Sequence, residues 1–313
     1  MVFTELGKKY GDIIGFKSGP GNIVVLNSID LVRELLEKRG NKYSGRPCGY
    51  VPREHIVHDS KHIVYLKNDG YLKQWRGAAR YILGSGAVKN VLPVQEAAAA
   101  DLMVKLVKNS GGFLEQFRVW ALVVPLHTIC GDRTARNNPE LQQWFFDYQH
   151  TWLELLTPGL APPVDMFPIM KYMPESISGW KQTAKYLRKN MFGFYYMMLD
   201  KAKKDLAEKS AFDNATAERQ GQEPLMTKIL REQRDGKEVF STDELANLGG
   251  GLLDAAIDTT YSTSLVFVMI LAVYPDVLKR AQAEVDGLCG SDHPPRGEDI
   301  GKLPYLKACH LEV

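Results

Sequence analysis

Apolar and polar positions follow two different rhythms along this chain. Near the N-terminus the runs are short and β-rich. Ile13-Ile14-Gly15-Phe16 and Ile23-Val24-Val25-Leu26 flank Ser18-Gly19-Pro20-Gly21-Asn22, which predicts a hairpin over about 12–27. Ser28 should then cap an amphipathic helix from Ile29 to Lys38, with Gly40 as its stop. Residues 41–69, which include Pro47 and Pro52, read as irregular. From about Gly70 the apolar spacing becomes helical. Helices are predicted near 71–83, 91–109, 113–130, 139–156, 180–208, 224–233, 242–274, 276–288 and 303–313. A small β hairpin followed by a large helical mass is a mainly α, α-rich α+β class. The segment 209–223 is polar and reads as a linker.

The 242–274 helix holds the most informative pattern. Thr242 reads as its N-cap, with Asp243 and Glu244 in the first turn, and Pro275 ends it. Its length is on the order of 45 Å, enough to cross a domain. Within it, Ala255-Ala256-Ile257-Asp258-Thr259-Thr260 sets an acid and two alcohols between Leu252-Leu253 and the apolar run Leu265 to Leu271. A buried carboxylate is costly unless paired, hydrogen-bonded or protonated. A helical Thr can turn its hydroxyl back onto preceding carbonyls. The pattern therefore reads as a helix crossing a pocket with a proton-handling group at the crossing. The plainer reading is a solvated Asp beside two ordinary threonines. The apolar part after Thr263 falls short of the roughly 20 residues of a membrane span, so a buried core helix is expected.

Composition narrows the class. The chain has 313 residues, 45% hydrophobic and 24% charged, which are globular values. A formal net charge of +2 carries no nucleic-acid signal, so no nucleic-acid partner is expected. Cys48, Cys130, Cys289 and Cys309 lie far apart without CxxC or zinc-type spacing, and free thiols are the simplest reading. No stretch reads as a signal peptide or a transmembrane anchor.

Other candidates are weaker. Trp75 and Arg76 lie on one predicted helix with Arg80, which shares the face of Arg76. A Trp N–H beside guanidinium forks can clamp a carboxylate or phosphate, although a surface helix with Trp75 turned inward fits the same spacing. His55, His58 and His62 would line one face if helical, but no fixed acid ligand is evident and metal binding there is disfavoured. Gly249-Gly250-Gly251 lacks the following Lys-Ser/Thr of a phosphate loop. It fits close helix packing or a local distortion before the acid. His127 reads as a core histidine. The Pro-rich, apolar segment 157–180 suits a lid over a pocket or a surface resting on a membrane.

Taken in order, these motifs resemble the eukaryotic, particularly fungal, cytochrome P-450 family of haem-thiolate monooxygenases. Tyr10-Gly11-Asp12-Ile13-Ile14 is similar to the family's first strand. Trp75-Arg76 is similar to its haem-propionate helix, and Pro174 with Ser178-Gly179-Trp180-Lys181 to the loop between its lid helices. Ala255 to Thr260 resembles its oxygen-activating helix. Leu303-Pro304-Tyr305-Leu306-Lys307-Ala308 followed by Glu312 resembles the start of its Glu-x-x-Arg helix. The resemblance implies a single domain over 1–313, incomplete at its C-terminus, built around haem b iron bound through an axial Cys thiolate. It implies electrons from NADPH through a cytochrome reductase, and one atom of O₂ inserted into a lipophilic small molecule. It implies a parent protein at the cytoplasmic face of the endoplasmic reticulum membrane, in fungal secondary metabolism. By the same resemblance, Asp258 and Thr259 are catalytic, as proton relay and dioxygen partner. Trp75, Arg76 and Arg80 hold propionates, Ala255, Ala256 and Thr259 face the cofactor, and Glu312 is structural. Substrate contacts are expected from 46–70, from 157–180 and from the central helix.

The sequence departs from the family pattern in four places. The Arg partner of Glu312 and the axial-Cys loop are absent, so no metal ligand is assigned to any of the four cysteines. Ala256 stands where the family has Gly. Ala79 stands where it has Arg, with the basic residue at Arg80 instead. The N-terminal anchor is also missing. The chain is therefore expected to be a truncated piece, inactive alone, with the apolar face of its central helix uncovered. The competing readings are a non-catalytic remnant that binds apolar small molecules and a helical scaffold without a ligand.

Overall fold

A computed structural model describes the chain apart from residues 1, 20, 58–60, 158, 212–222, 238–239 and 291–292. Most of the 209–223 linker and His58 of the histidine trio lie outside the described residues. The helices are α1 (Val2–Tyr10), α2 (Ile29–Val32), α3 (Gly40–Tyr43), α4 (Gly70–Leu83), α5 (Ser85–Lys108) and α6 (Phe113–Cys130). They continue with α7 (Pro139–Leu156), α8 (Gly179–Ala211), α9 (Leu225–Arg234), α10 (Thr242–Val273), α11 (Pro275–Cys289) and α12 (Pro304–Leu311). Among the described residues the sheet is a single pair, β1 (Ile13–Ser18) and β2 (Gly21–Leu26), antiparallel with Ile13 opposite Leu26 and Phe16 opposite Ile23. This is the mainly α fold with a small N-terminal hairpin that the periodicity predicts.

Local chemistry explains the boundaries. Gly131 ends α6 with φ +80°, a left-handed cap whose N–H donates to the His127 carbonyl at 2.9 Å. Pro139 and Pro275 open α7 and α11, where a missing N–H costs nothing. Ser241, one residue before the expected cap, is the true start of α10. Its Oγ accepts from Glu244 N at 3.2 Å while Glu244 accepts from Ser241 N at 2.9 Å, a reciprocal capping box. Two expectations near the N-terminus change. The helix after Ser28 is α-type only to Val32 and widens to a π-type stretch over Arg33–Lys38, and Ser28 makes no side-chain cap. Gly40 opens α3 instead of stopping a helix, and the region expected to be irregular also holds short turns at Pro52–Ile56 and Ile63–Tyr65.

The chain divides into two compact units, Met1–Arg76 with Tyr148–Met191, and Gly77–Asp147 with Phe192–Val313. In the first, the hairpin packs with α1 and α2. Its core gathers Ile56, Tyr65, Trp152, Val164 and Trp180. His62 packs edge-on against Trp152 at 5.3 Å and accepts from Val64 N, whereas His55 sits between Tyr50 and Trp180. The two described histidines of the trio thus serve separate packing contacts. In the second unit α6 is the central element, covered by α5, α9 and α10. Phe145 and Trp144 of α7 pack on Phe194 of α8 at 5.4 and 5.2 Å.

Candidate functional site

Helix α10 runs unbroken through its Gly run, and the run has a packing reason. A Cβ on Gly249 would meet Met226 and Ile129, and one on Gly250 would fall within 3.0 Å of three carbons of the Tyr195 ring. Glycine lets α6, α8 and α9 side chains lie directly on the α10 backbone. This is the close packing expected from the sequence. Because the Tyr195 ring lies on Gly250, its hydroxyl reaches one turn further and donates to the Asp254 carboxylate in a short hydrogen bond. Both residues are buried. Burial, then the neighbouring Asp254 charge, hold the Tyr195 phenol well above its usual range, so it stays a donor.

The acid buried in the apolar helix is therefore Asp254. Asp258, one turn later, is half-buried, and Thr259 is exposed. Thr259 donates its hydroxyl back to the Ala255 carbonyl at 2.8 Å, with a second approach to Ala256 O at 3.3 Å, as the helix position predicts. That leaves the hydroxyl oxygen free to accept. Ala255, Thr259 and Ser262 form an exposed strip of small residues, with half-buried Ala256 and Asp258 on its flanks. Such a strip admits a flat group against the helix, with an acid within a turn of it.

Downstream, the apolar half of α10 differs from the expected core helix. Leu245 to Asp254 are buried, but Val266, Val268, Met269 and Val273 are 36–63% exposed. The helix is long and apolar enough to cross a membrane by length and composition alone, a test that core helices also pass.

On α4 the buried face is Leu72, Trp75, Ala78, Ala79 and Ile82. Arg76 and Arg80 lie one turn apart on the exposed face. The position where an Arg was expected, Ala79, points into the core at 4% exposure, so Arg80 partners Arg76 rather than Trp75. The Trp75 indole N–H is buried without a protein acceptor. An unpaired buried donor costs roughly 1–3 kcal/mol unless a ligand takes it.

The 157–180 segment is tied down by the Asp165 carboxylate, which accepts from Tyr50 N at 3.1 Å, and by Lys181, which donates to the carbonyls of Lys171 and Met173. Met166, Phe167, Ile169, Tyr172 and Ile177 remain more than half exposed there. Glu312 is exposed at the end of α12. Burial raises the Cys130 thiol to about 12, and it donates to Leu126 O. A neutral thiol is not a metal ligand.

A family description, Cytochrome P450, matches residues 1–313. The chain belongs to the cytochrome P450 family. Among curated proteins it is similar to a cytochrome P450 monooxygenase of Armillaria gallica, 29% identical over 313 residues, covering 100% of this chain and 57% of that protein. Monooxygenase grgG of Penicillium sp is 30% identical over 326 residues, with the same two coverages of 100% and 57%. This P450 chain thus spans a little over half the length of these relatives. A zebra fish cytochrome P450 solved with progesterone superposes with a TM-score of 0.77 at 23% identity, covering 99% of this chain and 69% of that one. That likeness establishes the fold.

The family is one of haem-dependent monooxygenases that act with O₂ and a redox partner. Two separate groups of residues carry chemistry that a haem uses. The unpaired Trp75 N–H and the Arg76 and Arg80 guanidiniums suit carboxylates, and the Ala255–Thr259 strip suits a flat ring face. The site lacks an assigned thiolate. Composition could signal Trp75 beside Arg76, but not that its N–H goes unpaired. Asp254 was overlooked because, in an apolar helix, nothing in the sequence says which of two acids turns inward.

Proposed function

We propose that this chain serves a haem-dependent monooxygenase of fungal secondary metabolism that inserts one oxygen atom from O₂ into a lipophilic organic substrate. The observation that carries the reading is the open strip on α10, small at Ala255 and Ala256 and polar at Asp258 and Thr259. When bound, haem supplies dioxygen reduction and oxygen transfer. The chain's own residues do the rest. Trp75 donates its indole N–H to a propionate, and Arg76 and Arg80 neutralise propionate charge from the exposed face of α4. Ala255 and Ala256 keep the helix surface low enough for close approach. Thr259 accepts a hydrogen bond at its hydroxyl oxygen and passes a proton through its own O–H. Asp258, half-buried, exchanges that proton with solvent. The exposed apolar residues of 157–180 admit the substrate. Glu312 has a structural role. Electrons come from NADPH through a cytochrome reductase at the cytoplasmic face of the endoplasmic reticulum.

The test is haem titration of the chain followed in the Soret region, with Trp75→Phe as the diagnostic variant. Saturable binding that Trp75→Phe weakens about tenfold, near 1.4 kcal/mol, is the expected result. Binding no better than that of a non-haem control protein, or binding indifferent to Trp75→Phe, would overturn the reading. Reduction under carbon monoxide adds a second readout. A thiolate-type band would assign an axial ligand among Cys48, Cys289 and Cys309.

A further inference from the structure

Away from α10, the connection between α11 and α12 brings together three side chains of different chemistry. Cys289 closes α11, His293 lies in the loop that follows, and Asp299 stands in the 3-10 turn Gly297–Lys302. One donor atom from each, a sulfur, an imidazole nitrogen and a carboxylate oxygen, lies within 4.8 Å of the other two. Cys289 and Asp299 are 5% and 4% exposed, an unusual depth for a carboxylate. We propose that Cys289, His293 and Asp299 form a zinc site that clips the α11–α12 connection.

Geometry and donor type both support zinc. A metal equidistant from three donors at that maximum spacing would sit at least about 2.8 Å from each, against ~2.0–2.3 Å for zinc bonds, so closure to a tetrahedral site moves each donor inward by roughly 0.8 Å. A mixed thiolate, imidazole and carboxylate set suits a borderline ion. Calcium and magnesium want oxygen ligands only. Three protein ligands leave the fourth tetrahedral position to water.

The surrounding contacts already orient two of the three ligands. His293 Nδ1 lies 3.0 Å from the Pro294 carbonyl, so the tautomer that donates there keeps Nε2 bare as a potential ligand atom. Asp299 Oδ2 accepts from Arg296 N at 3.0 Å, which fixes the carboxylate plane. The Lys302 ammonium stands 3.1 Å from Oδ1, a cation already beside the site. Its side chain is 62% exposed and can swing away when the metal enters. The C-terminal carbonyls of α11 add negative potential beside Cys289.

Occupancy would have a structural consequence. Gly297 N donates to the Glu96 carboxylate of α5 at 2.8 Å, and the Glu284 carboxylate of α11 accepts from Tyr305 N and Leu306 N of α12. A metal at Cys289, His293 and Asp299 would close the loop between these two anchors and brace α5, α11 and α12 against one another.

Cobalt(II) is the probe, titrated into the metal-free 313-residue chain and followed by absorption. The expected result is about one equivalent bound, with a thiolate-to-cobalt charge-transfer band and the visible bands of a four-coordinate ion. Zinc should displace the cobalt and bleach both. Cys289→Ser should abolish the charge-transfer band. His293→Ala, on the loop, should weaken binding beyond the roughly 10–100-fold typical of losing an outer partner. Circular dichroism identifies any variant that fails to fold, and His293→Ala then carries the test alone. No bound cobalt would overturn the assignment, and so would a charge-transfer band unchanged in both variants, which would place the ion at another thiol.

Discussion

Replacing Gly250 by alanine tests the packing of α10 directly. The new methyl would fall closer than 3.0 Å to three Tyr195 ring carbons, whereas carbon contacts normally sit at about 3.5–4.0 Å. The ring must retreat by at least about 0.5 Å. It has little room, because Tyr195 is fully buried and Phe192 packs 5.5 Å away. Retreat also draws the phenol off Asp254. Overpacking costs about 1–3 kcal/mol, and weakening a hydrogen bond to a buried charged group about 1.5–3 kcal/mol. Against these stand a gain of up to about 1 kcal/mol from helix propensity and about 0.8 kcal/mol from burying a methyl. The net expectation is a loss of about 1–4 kcal/mol.

At about 2.1 cal/mol/K per residue, that loss lowers the melting temperature of a chain this size by ~2–6 °C. Gly287 provides the control. It lies inside α11, exposed, with open space where a Cβ would stand. Gly287→Ala should raise stability by about 0.5–1 kcal/mol. Differential scanning calorimetry reads both variants. Adding Tyr195→Phe to Gly250→Ala should cost less than Tyr195→Phe alone, because the first change has already disturbed the bond. If Gly250→Ala melts with or above wild type, or if the two changes add, the glycine is not what seats Tyr195 on Asp254.

Four further expectations can be checked separately. Tyr195→Phe removes a donor from a buried carboxylate and should cost about 1–3 kcal/mol in urea unfolding, with Asp254→Ala at least as damaging. Asp258→Ala with Thr259→Ala should leave stability within about 0.5 kcal/mol of wild type, since Thr259 is exposed and Asp258 stands half-buried at the edge of the strip; a larger loss would make the pair structural. Arg80→Ala should weaken haem binding no more than Arg76→Ala does, because the two share the exposed face of α4 and Ala79 holds the inner position; a larger effect at Arg80 would refute that geometry. His127 should make stability pH-dependent. Its pKa is lowered by burial first, then by Arg133 and Arg136, with Asp132 opposing and Lys201 adding slightly. The unfolded chain therefore binds the proton more readily, and stability is full above about 6.5 and falls as pH drops below it. His127→Gln should flatten that limb in denaturation from pH 7.5 to 5.5.

How much of this was legible in the sequence follows from how far each feature depends on distant residues. The helices were readable because period, proline and glycine act locally. The 113–130 and 139–156 spans match α6 and α7 to the residue, with Gly131 and Pro139 as the punctuation. The start of α10 was readable too, once Glu244 is counted three residues back to Ser241 rather than to Thr242. What could not be read is which side of α10 faces inward. Its apolar residues continue around the helix after Thr263, so the sequence has no polar stripe to orient it. Orientation comes from α6, α9 and the Tyr195 ring, and it turns Asp254 inward while leaving Asp258 near solvent. The same limit applies to Trp75, where spacing predicts the residue but not its unpaired N–H. It applies most strongly to Cys289, His293 and Asp299. Their spacing matches no zinc pattern, and only the turn at Gly297–Lys302 brings the carboxylate back to the thiol. The two acids on α10 therefore differ in setting: Asp254 is buried and accepts from Tyr195, whereas Asp258, one turn later, is half-buried, the placement that the proposed proton relay requires.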